Sequence, residues 1–337
     1  MTFQDFWYVV ALSEQLTHKD ILSRTVLDEW LVIFRDEQGH PVALQDRCVH
    51  RNSRLSQGSL KNGQLQCPYH GWKYDSTGSV VNVPAEGSGC PHVSRTAIHY
   101  PTQEKDGYVY VQLNPDESIE PFATPRYQRP GWETVRVINR FQNSVTNCVE
   151  NFIDIPHTAS VHPGIFRQAK QQQLKMTVSR YEGTVSATYH QETDNLGWFS
   201  WFLNPEGDEI SHSDRFFMPN VTSVEYKMGA NRHCFITSQA VPETKESTLV
   251  YTDVTFNYGI WNKLVRPFVR WTAQRIIKQD QVALKLQQET IAKYGERFSH
   301  TPADTIHVFV ESVRAAIAQG KDPRTLPDKT VDVTFWV

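Results

Sequence analysis

The chain has 337 residues, enough for two domains of ordinary size. Hydrophobic residues make up 39% and charged residues 21%, a composition that excludes a disordered or membrane-embedded protein. The formal net charge of −3 excludes the strongly basic surface that nucleic-acid binding requires. The sequence predicts neither a signal peptide after Met1 nor a transmembrane helix, and the five dispersed cysteines suit a reducing compartment. We therefore expect a cytoplasmic protein that contacts neither nucleic acid nor membrane.

The first third of the chain predicts an all-β unit. Residues 25–113 contain short apolar runs separated by turn residues. Trp30–Arg35 and Pro41–Gln45 flank a tetrapeptide that ends in Gly39, which is typical of a β-hairpin with glycine at a positive φ. We assign residues 1–120 to this domain.

The rest of the chain predicts a larger α+β domain. Residues 114–130 include four prolines and several acidic residues, which indicates a linker or crossing segment. Helical patterns near 143–160 precede a β-rich middle, about 174–258, and a helix-rich tail from 264. This order predicts an antiparallel sheet flanked by helices over residues 121–337.

A first cluster of metal-binding residues lies in the β unit. Cys48 and His50 form a C-x-H-R motif, and Cys67 and His70 belong to C-P-Y-H-G-W. Two thiolates and two imidazoles suit an iron–sulfur cluster or zinc, since both bind soft sulfur and borderline nitrogen. The alternatives are a structural zinc site and a disulfide between the two cysteines.

A second cluster follows in the larger domain. Asn151, Asp154 and His157 recur every three residues, so on one helix they share a face, and His162 follows five residues later. Two imidazoles and one carboxylate bind iron while leaving positions open for O2 and substrate. The alternative is that these histidines are structural or surface groups.

The carboxylate of that second cluster is predicted from the tail. At helical spacing, Asp280 shares a face with five apolar residues, Ala273, Ile276, Ile277, Ala283 and Leu284. A lone carboxylate on a buried face is costly unless it is paired or binds a cation. Asp280 is therefore the predicted ligand, a buried salt bridge is the alternative, and Glu289 is the second candidate ligand.

Together the two motifs resemble the catalytic subunits of Rieske non-haem iron oxygenases, in the branch similar to vanillate O-demethylase. Respiratory Rieske proteins carry two further cysteines as a disulfide, and Ser53 and Tyr69 stand in those places here. The resemblance implies a [2Fe–2S] cluster and a mononuclear Fe(II). The implied cluster ligands are Cys48, His50, Cys67 and His70, and the implied iron ligands are His157, His162 and Asp280. It also implies that Asp154 bridges an iron-bound histidine to a Rieske histidine, with Asn151 near the iron.

The resemblance also implies a function. Such an enzyme uses O2, with electrons that reach it from NAD(P)H through a separate reductase, with or without a ferredoxin. It monohydroxylates or oxidatively demethylates a small aromatic or hydrophobic substrate in aromatic catabolism. It assembles as a head-to-tail homotrimer, in which the Rieske cluster of one subunit delivers electrons to the mononuclear iron of a neighbouring subunit. The alternatives are a ring cis-dihydroxylating dioxygenase, a Rieske electron carrier and a zinc-binding interaction protein.

Two features bear on the substrate. An aromatic segment lines an apolar pocket or fills the core, through Trp198, Phe199, Trp201, Phe202, Phe216 and Phe217. Arg215 or Arg232 is a candidate partner for a substrate carboxylate or sulfonate.

Overall fold

The computed structural model describes residues 1–87, 92–163, 173–190, 210–229 and 232–337. They form two compact units. The N-terminal unit contains Gln4–Ala123 and Pro242–Thr244, and the C-terminal unit contains Met1–Phe3, Thr124–Val241 and Lys245–Val337. Of the helices in these ranges, none has the length and apolar character needed to cross a lipid bilayer.

The N-terminal unit consists of three small sheets. The first has the order β1 (Trp7–Leu12), β12 (Tyr108–Gln112), β11 (Thr102–Lys105). The second has the order β10 (His99–Tyr100), β4 (Pro41–Gln45), β3 (Glu29–Arg35), β2 (Leu22–Val26). The third has the order β5 (Ser59–Lys61), β6 (Gln64–Gln66), β7 (Lys73–Tyr74), β8 (Ser79–Asn82), β9 (His92–Thr96).

The hairpin of β3 and β4 supports the first metal-binding motif. The two strands pair antiparallel, and Gly39 has a φ of 90° in the turn, which confirms the predicted hairpin. Val32 and Phe34 of β3 pack in one buried core with Cys48 and Cys67. Apolar burial therefore anchors both cysteines to the strands around them.

The C-terminal unit is built on one sheet of eight described strands, with antiparallel pairing. Its order is β13 (Glu133–Phe141), β19 (Ser247–Asn257), β18 (Arg232–Thr244), β17 (Val221–Met228), β16 (Ile210–Phe217), β15 (Thr184–His190), β14 (Gln173–Tyr181), β20 (Lys329–Trp336).

Four described α-helices accompany this sheet. They are α1 (Val145–Phe152), α2 (Pro156–Val161), α3 (Asn262–Tyr294) and α4 (Thr305–Ala318). Short 3-10 helices span Phe3–Asp5, Ser13–Gln15, Leu55–Gln57, Pro84–Glu86, Gly259–Trp261, Pro302–Asp304 and Pro323–Thr325.

The predicted α+β architecture is confirmed, with one strand that the sequence analysis did not identify. The tail ends in β20, which pairs with β14 at the edge of the sheet. Val331, Val333 and Phe335 alternate with polar residues in this strand, a period-two pattern typical of β structure.

Candidate active site

Two tight turns present the first motif. One follows β4, where the Cys48 N–H donates to the Ser53 carbonyl at 2.8 Å. The other follows β6, where the Cys67 N–H donates to the Trp72 carbonyl at 2.8 Å. Gly71 has a φ of 71° in this second turn, a conformation that residues with a Cβ adopt at a cost. The C-P-Y-H-G-W motif thus encodes its own turn.

The four side chains of the first motif converge. Cys48 and Cys67 are buried free thiols, so the disulfide alternative is wrong. Burial, with a smaller contribution from the neighbouring Cys48 thiol, raises the pKa of Cys67. The rings of His50 and His70 lie 4.5 Å apart between centroids.

One buried atom tests whether this motif fits a metal cluster. Nδ1 of His50 is buried and has no hydrogen-bond partner in the described ranges. A buried polar atom without a partner is costly, and a bond to a metal removes that cost. The two thiols beside it complete the mixed sulfur and nitrogen donor set of a Rieske cluster. The four side chains of the first motif therefore fit a Rieske [2Fe–2S] cluster.

Aromatic residues surround the first motif. Trp72 is buried and stacks on His50 at 4.6 Å between centroids, so it shields that imidazole. Tyr69 is 66% exposed, and its ring lies 3.8 Å from that of His70 between centroids. The Tyr74 hydroxyl lies 3.0 Å from Cys48 Sγ and accepts the Val49 N–H at 3.1 Å. Burial raises the pKa of Tyr74, which keeps the hydroxyl protonated as a donor to the Cys48 sulfur.

The second motif spans two short helices, the turn between them and the residue after the second helix, so the prediction of one shared helix face is wrong. The Ser144 side chain accepts the Asn147 N–H at 3.3 Å and begins α1, which contains Asn151. Pro156 has no N–H to donate to the carbonyl four residues earlier, so a continuous helix breaks there. Helix α2 starts at Pro156 and carries His157.

Three predicted residues meet at one point of the C-terminal unit. Nε2 of His162 lies 3.0 Å from Asp280 Oδ1, and Nε2 of His157 lies 3.5 Å from the same oxygen. One nitrogen or oxygen from each of the three side chains lies within 4.8 Å of the others. The buried Asp280 Oδ1 has no aligned hydrogen bond to a described residue. Atoms that converge without hydrogen bonding to one another fit a shared divalent cation.

The electrostatics of this triad also suit a cation. Burial alone would raise the pKa of Asp280, but the two imidazoles hold it below its ordinary value. Burial alone would lower the pKa of His157, but the hydrogen bond with Asp154 and the negative charges of Asp154 and Asp280 raise it to about 9. The carboxylates therefore create the negative potential that a metal ion needs.

A second layer of hydrogen bonds fixes both imidazoles. Nδ1 of His157 lies 3.0 Å from Asp154 Oδ2, and Nδ1 of His162 lies 2.9 Å from Gln279 Oε1. When each Nδ1 carries the proton, each Nε2 presents its lone pair to the triad. The sequence analysis missed Gln279, whose only sequence signal is its position next to Asp280.

Asp154 has further partners. Burial acts to raise its pKa, but the His157 hydrogen bond and the nearby His307 lower that pKa overall. Nε2 of His307, on α4, lies 3.8 Å from Asp154 Oδ1. No local motif in the sequence indicated His307, because it lies far along the chain from Asp154.

A cavity of about 120 Å³ adjoins the triad. This volume is of the same order as a cavity of roughly 150 Å³ that holds one benzene molecule. Much of its described wall is apolar, including Phe152, Ile155, Val224, Ile236, Ile276 and Ile277. Asn151 also lines it, with a buried Oδ1 that lacks a hydrogen-bond partner among the described residues.

The other residues predicted as an iron ligand or as substrate contacts are not among the described residues of the triad and its cavity. The Glu289 side chain is 61% exposed and lies 4.0 Å from Lys285. The Arg215 guanidinium lies 3.8 Å from Glu225, and neither Arg215 nor Arg232 is among the described cavity-lining residues. Phe216 is fully buried, whereas four aromatic residues lie outside the described ranges: Trp198, Phe199, Trp201 and Phe202.

Comparison with known families identifies both domains. Residues 6–101 match the Rieske [2Fe–2S] domain. Residues 142–316 match the vanillate O-demethylase oxygenase C-terminal domain. The chain belongs to the Rieske oxygenases. It is accordingly an oxidoreductase of the [2Fe–2S] and non-haem iron class, and the hypotheses of an electron carrier and a zinc-binding protein are set aside.

Several relatives of this oxygenase have a curated function. The oxygenase component of dicamba O-demethylase from Stenotrophomonas maltophilia is 29% identical over 85% of this chain and 88% of its own length. An iron–sulfur subunit of the toluene-4-sulfonate monooxygenase system from Comamonas testosteroni is 29% identical over 61% of this chain and 57% of its own. The crystal structure of dicamba monooxygenase bound to dicamba superposes with a TM-score of 0.82, at 26% identity, over 95% of this chain and 98% of that one.

Replacement of a cluster cysteine tests the first site. Purified protein should contain about three irons and about two acid-labile sulfides per chain, from one cluster and one mononuclear iron. Cys67→Ala should remove the sulfide and leave about one iron, because the cluster loses a thiolate. Cys148→Ala, at another buried thiol, is the control and should keep both contents. Stoichiometric zinc without sulfide would contradict the assignment.

Replacement of the buried acid tests the second site. Asp280→Ala should lower iron from about three to about two per chain at unchanged sulfide, since the cluster ligands are intact. Turnover should be lost while the Rieske absorption spectrum is retained. Glu289→Ala on the same helix is the matched control and should keep all the iron. The assignment fails if Glu289→Ala loses iron and Asp280→Ala does not.

Proposed function

We propose that this oxygenase monohydroxylates or oxidatively demethylates a small aromatic substrate. The observation that carries the proposal is the apolar cavity of one-ring size beside His157, His162 and Asp280. The activities of two relatives, O-demethylation of dicamba and monooxygenation of toluene-4-sulfonate, support the same reaction class.

Each predicted site residue has a proposed task. Cys48, His50, Cys67 and His70 would hold the [2Fe–2S] cluster, and His157, His162 and Asp280 would hold the mononuclear iron. When bound, the cluster supplies an electron and the iron activates O2. The apolar wall excludes water from the cavity, and the amide of Asn151 orients the substrate. Asp154 and Gln279 keep the two imidazoles in the tautomer that leaves Nε2 unprotonated.

The electron source and the assembly are also proposals. No nucleotide-binding glycine motif occurs in the sequence, so NAD(P)H would be oxidised by a separate reductase, with or without a ferredoxin. We propose a cytoplasmic homotrimer in which residues 1–120 form the Rieske domain and residues 121–337 the catalytic domain. The four free thiols among the described residues fit such a reducing compartment.

Asp154 is proposed to join two subunits. With His157 it lines both the cavity and a second, wider cleft, whose wall includes Glu150 and His307. His70 is exposed, so a partner subunit's His70 is accessible for docking in that cleft. One carboxylate can accept a hydrogen bond from an imidazole on each side. Asp154 would thereby orient an iron ligand and a cluster ligand together.

The variant Asp154→Asn tests this bridge. Iron and sulfide contents should stay at the wild-type level, because the carboxylate binds neither metal directly. Turnover should fall about a hundredfold, because an amide has one neutral acceptor oxygen, whereas the carboxylate can accept a hydrogen bond from an imidazole on each side. Cluster reduction by dithionite should still proceed. The control Asp322→Asn changes an acid that pairs with Arg324 on the surface.

Two outcomes would contradict the bridge. Near-wild-type turnover of Asp154→Asn would make the residue an ordinary helix-flanking carboxylate. Loss of iron would make it a direct ligand. Single-turnover kinetics with metal analysis on the same preparation separates these outcomes.

Product analysis tests the function itself. The holoenzyme, with a reductase and NADH, is incubated under 18O2 with methyl- and methoxy-substituted aromatics. We expect one 18O atom in a hydroxylated product, or equal amounts of phenol and formaldehyde from a methyl ether. Two 18O atoms on adjacent ring carbons would indicate cis-dihydroxylation instead, and NADH oxidation without any oxygenated product would contradict the proposal.

A further inference from the structure

A second, smaller cavity adjoins the active-site cavity, which is the cavity beside the triad. This side cavity has a volume of about 60 Å³, and Val254, Phe256, Val269 and Ala273 are among its described lining residues. These four residues belong to one hydrophobic core of the C-terminal unit or pack against it. Protein interiors are close-packed, and a void of this size lowers the stability of the fold. Its presence next to the proposed iron site therefore points to a use.

One layer of side chains separates the two cavities. Tyr226, Ile236 and Ile276 line both of them. Ile276 and Asp280 are four residues apart on α3, so they lie on the same face of that helix, about one turn apart. Ala273 lies three residues before Ile276 on the same face. A small molecule in the side cavity is thus close to the proposed iron ligands without occupying the space for the organic substrate.

The side cavity is apolar. No aspartate, glutamate, lysine, arginine or histidine is among its described lining residues. Burial raises the pKa of Cys234 to about 12, so this lining thiol is neutral. Thr272 has a buried hydroxyl without a hydrogen-bond partner among the described residues. A buried water takes roughly two to four polar partners, so this single hydroxyl does not hold one, and a cavity of this kind stays dry.

The size of the side cavity restricts its occupant. A cavity that holds one benzene molecule has a volume of roughly 150 Å³, more than twice the volume found here. An aromatic ring is therefore too large, whereas a diatomic gas fits. Dioxygen is uncharged and apolar, and it is more soluble in apolar media than in water. A Rieske oxygenase consumes dioxygen, so this molecule matches the side cavity in size, polarity and position.

We propose that the side cavity is a holding site for dioxygen, from which O2 reaches the active-site cavity past Ile236 and Ile276. The inference goes beyond the proposed function, because the enzyme consumes O2 whichever organic substrate it oxidises. Rotamer changes of the two isoleucines open the passage without movement of the backbone. O2 held there does not compete with an aromatic ring for the space beside the triad.

Xenon binding tests the side cavity directly, since xenon enters dry apolar cavities. Crystals of the wild-type protein under xenon pressure should show the anomalous signal of xenon in the side cavity. Ala273→Leu should exclude xenon, because the larger side chain fills the void. Thr272→Val, on the same helix, is the matched control, since valine keeps the shape of threonine and should keep the xenon. Absence of xenon from the wild-type side cavity would overturn the proposal.

The rate at which a diatomic gas reaches the iron tests the function of the side cavity. Nitric oxide is similar in size to O2 and binds ferrous iron, so its association can be followed by stopped-flow absorption without an organic substrate. Ala273→Leu should slow this association several-fold, while the final iron–nitrosyl EPR signal per iron stays at the wild-type level. Thr272→Val should keep the wild-type rate. Xenon exclusion without slower association would make the side cavity a packing defect, and equal slowing in both variants would also overturn the proposal.

A milder variant covers the case in which Ala273→Leu does not fold or loses iron. Val254→Ile adds one methylene from the sheet side of the side cavity, so it should lower xenon occupancy and slow nitric oxide association in the same direction but less. An unchanged association rate in this variant, despite lower xenon occupancy, contradicts the proposal.

The rival occupant is a substituent of the aromatic substrate. Calorimetric titration of the oxidised holoenzyme with anisole measures this possibility, because anisole carries a small substituent on one ring. We expect Ala273→Leu to leave anisole binding unchanged. Weaker anisole binding together with a wild-type rate of nitric oxide association would assign the side cavity to the substrate and overturn the proposal.

Discussion

The burial of Asp280 is the constraint on which the C-terminal site depends. A carboxylate on the apolar face of α3 would destabilise the fold without compensation, and the compensation comes from two imidazoles of α2 and its C-terminal end. The helix break at Pro156 places His157 and His162 where both Nε2 atoms approach that carboxylate. Separating any of these three side chains from the others would leave a buried polar group without compensation, and this free-energy cost keeps their donor atoms together.

The surrounding amides maintain this arrangement. Asn143 is fully buried at the start of α1, donates to the Leu284 carbonyl at 2.8 Å and accepts from the Asn147 amide at 2.7 Å. It therefore ties α1 to α3 about one turn beyond Asp280. Three buried polar atoms that lack a hydrogen-bond partner among the described residues lie at the proposed sites, in His50, Asn151 and Asp280. Proteins retain such unsatisfied groups where a ligand compensates for them.

Helices form one side of the cavity and the sheet forms the other. Helices α1, α2 and α3 present the proposed metal ligands and Asn151, whereas the sheet presents His212, Asp214 and apolar side chains. A sheet wall is rigid because each of its inner strands bonds to two neighbours.

The sequence by itself determined the local chemistry of this protein. The cysteine–histidine motifs and the helical spacing around Asp280 depend only on residues close to them in the chain. They can therefore be recognised in the sequence from a turn residue or a regular period. The tertiary structure decided which distant residues contact the residues of these motifs. Gln279 faces His162 because of helix packing, and Tyr189 faces Asp214 because of strand order, in each case across a long stretch of chain. The edge strand β20 was likewise settled by its pairing with β14, since a local pattern specifies a period but not its partner, whereas the helix break is a local effect of Pro156.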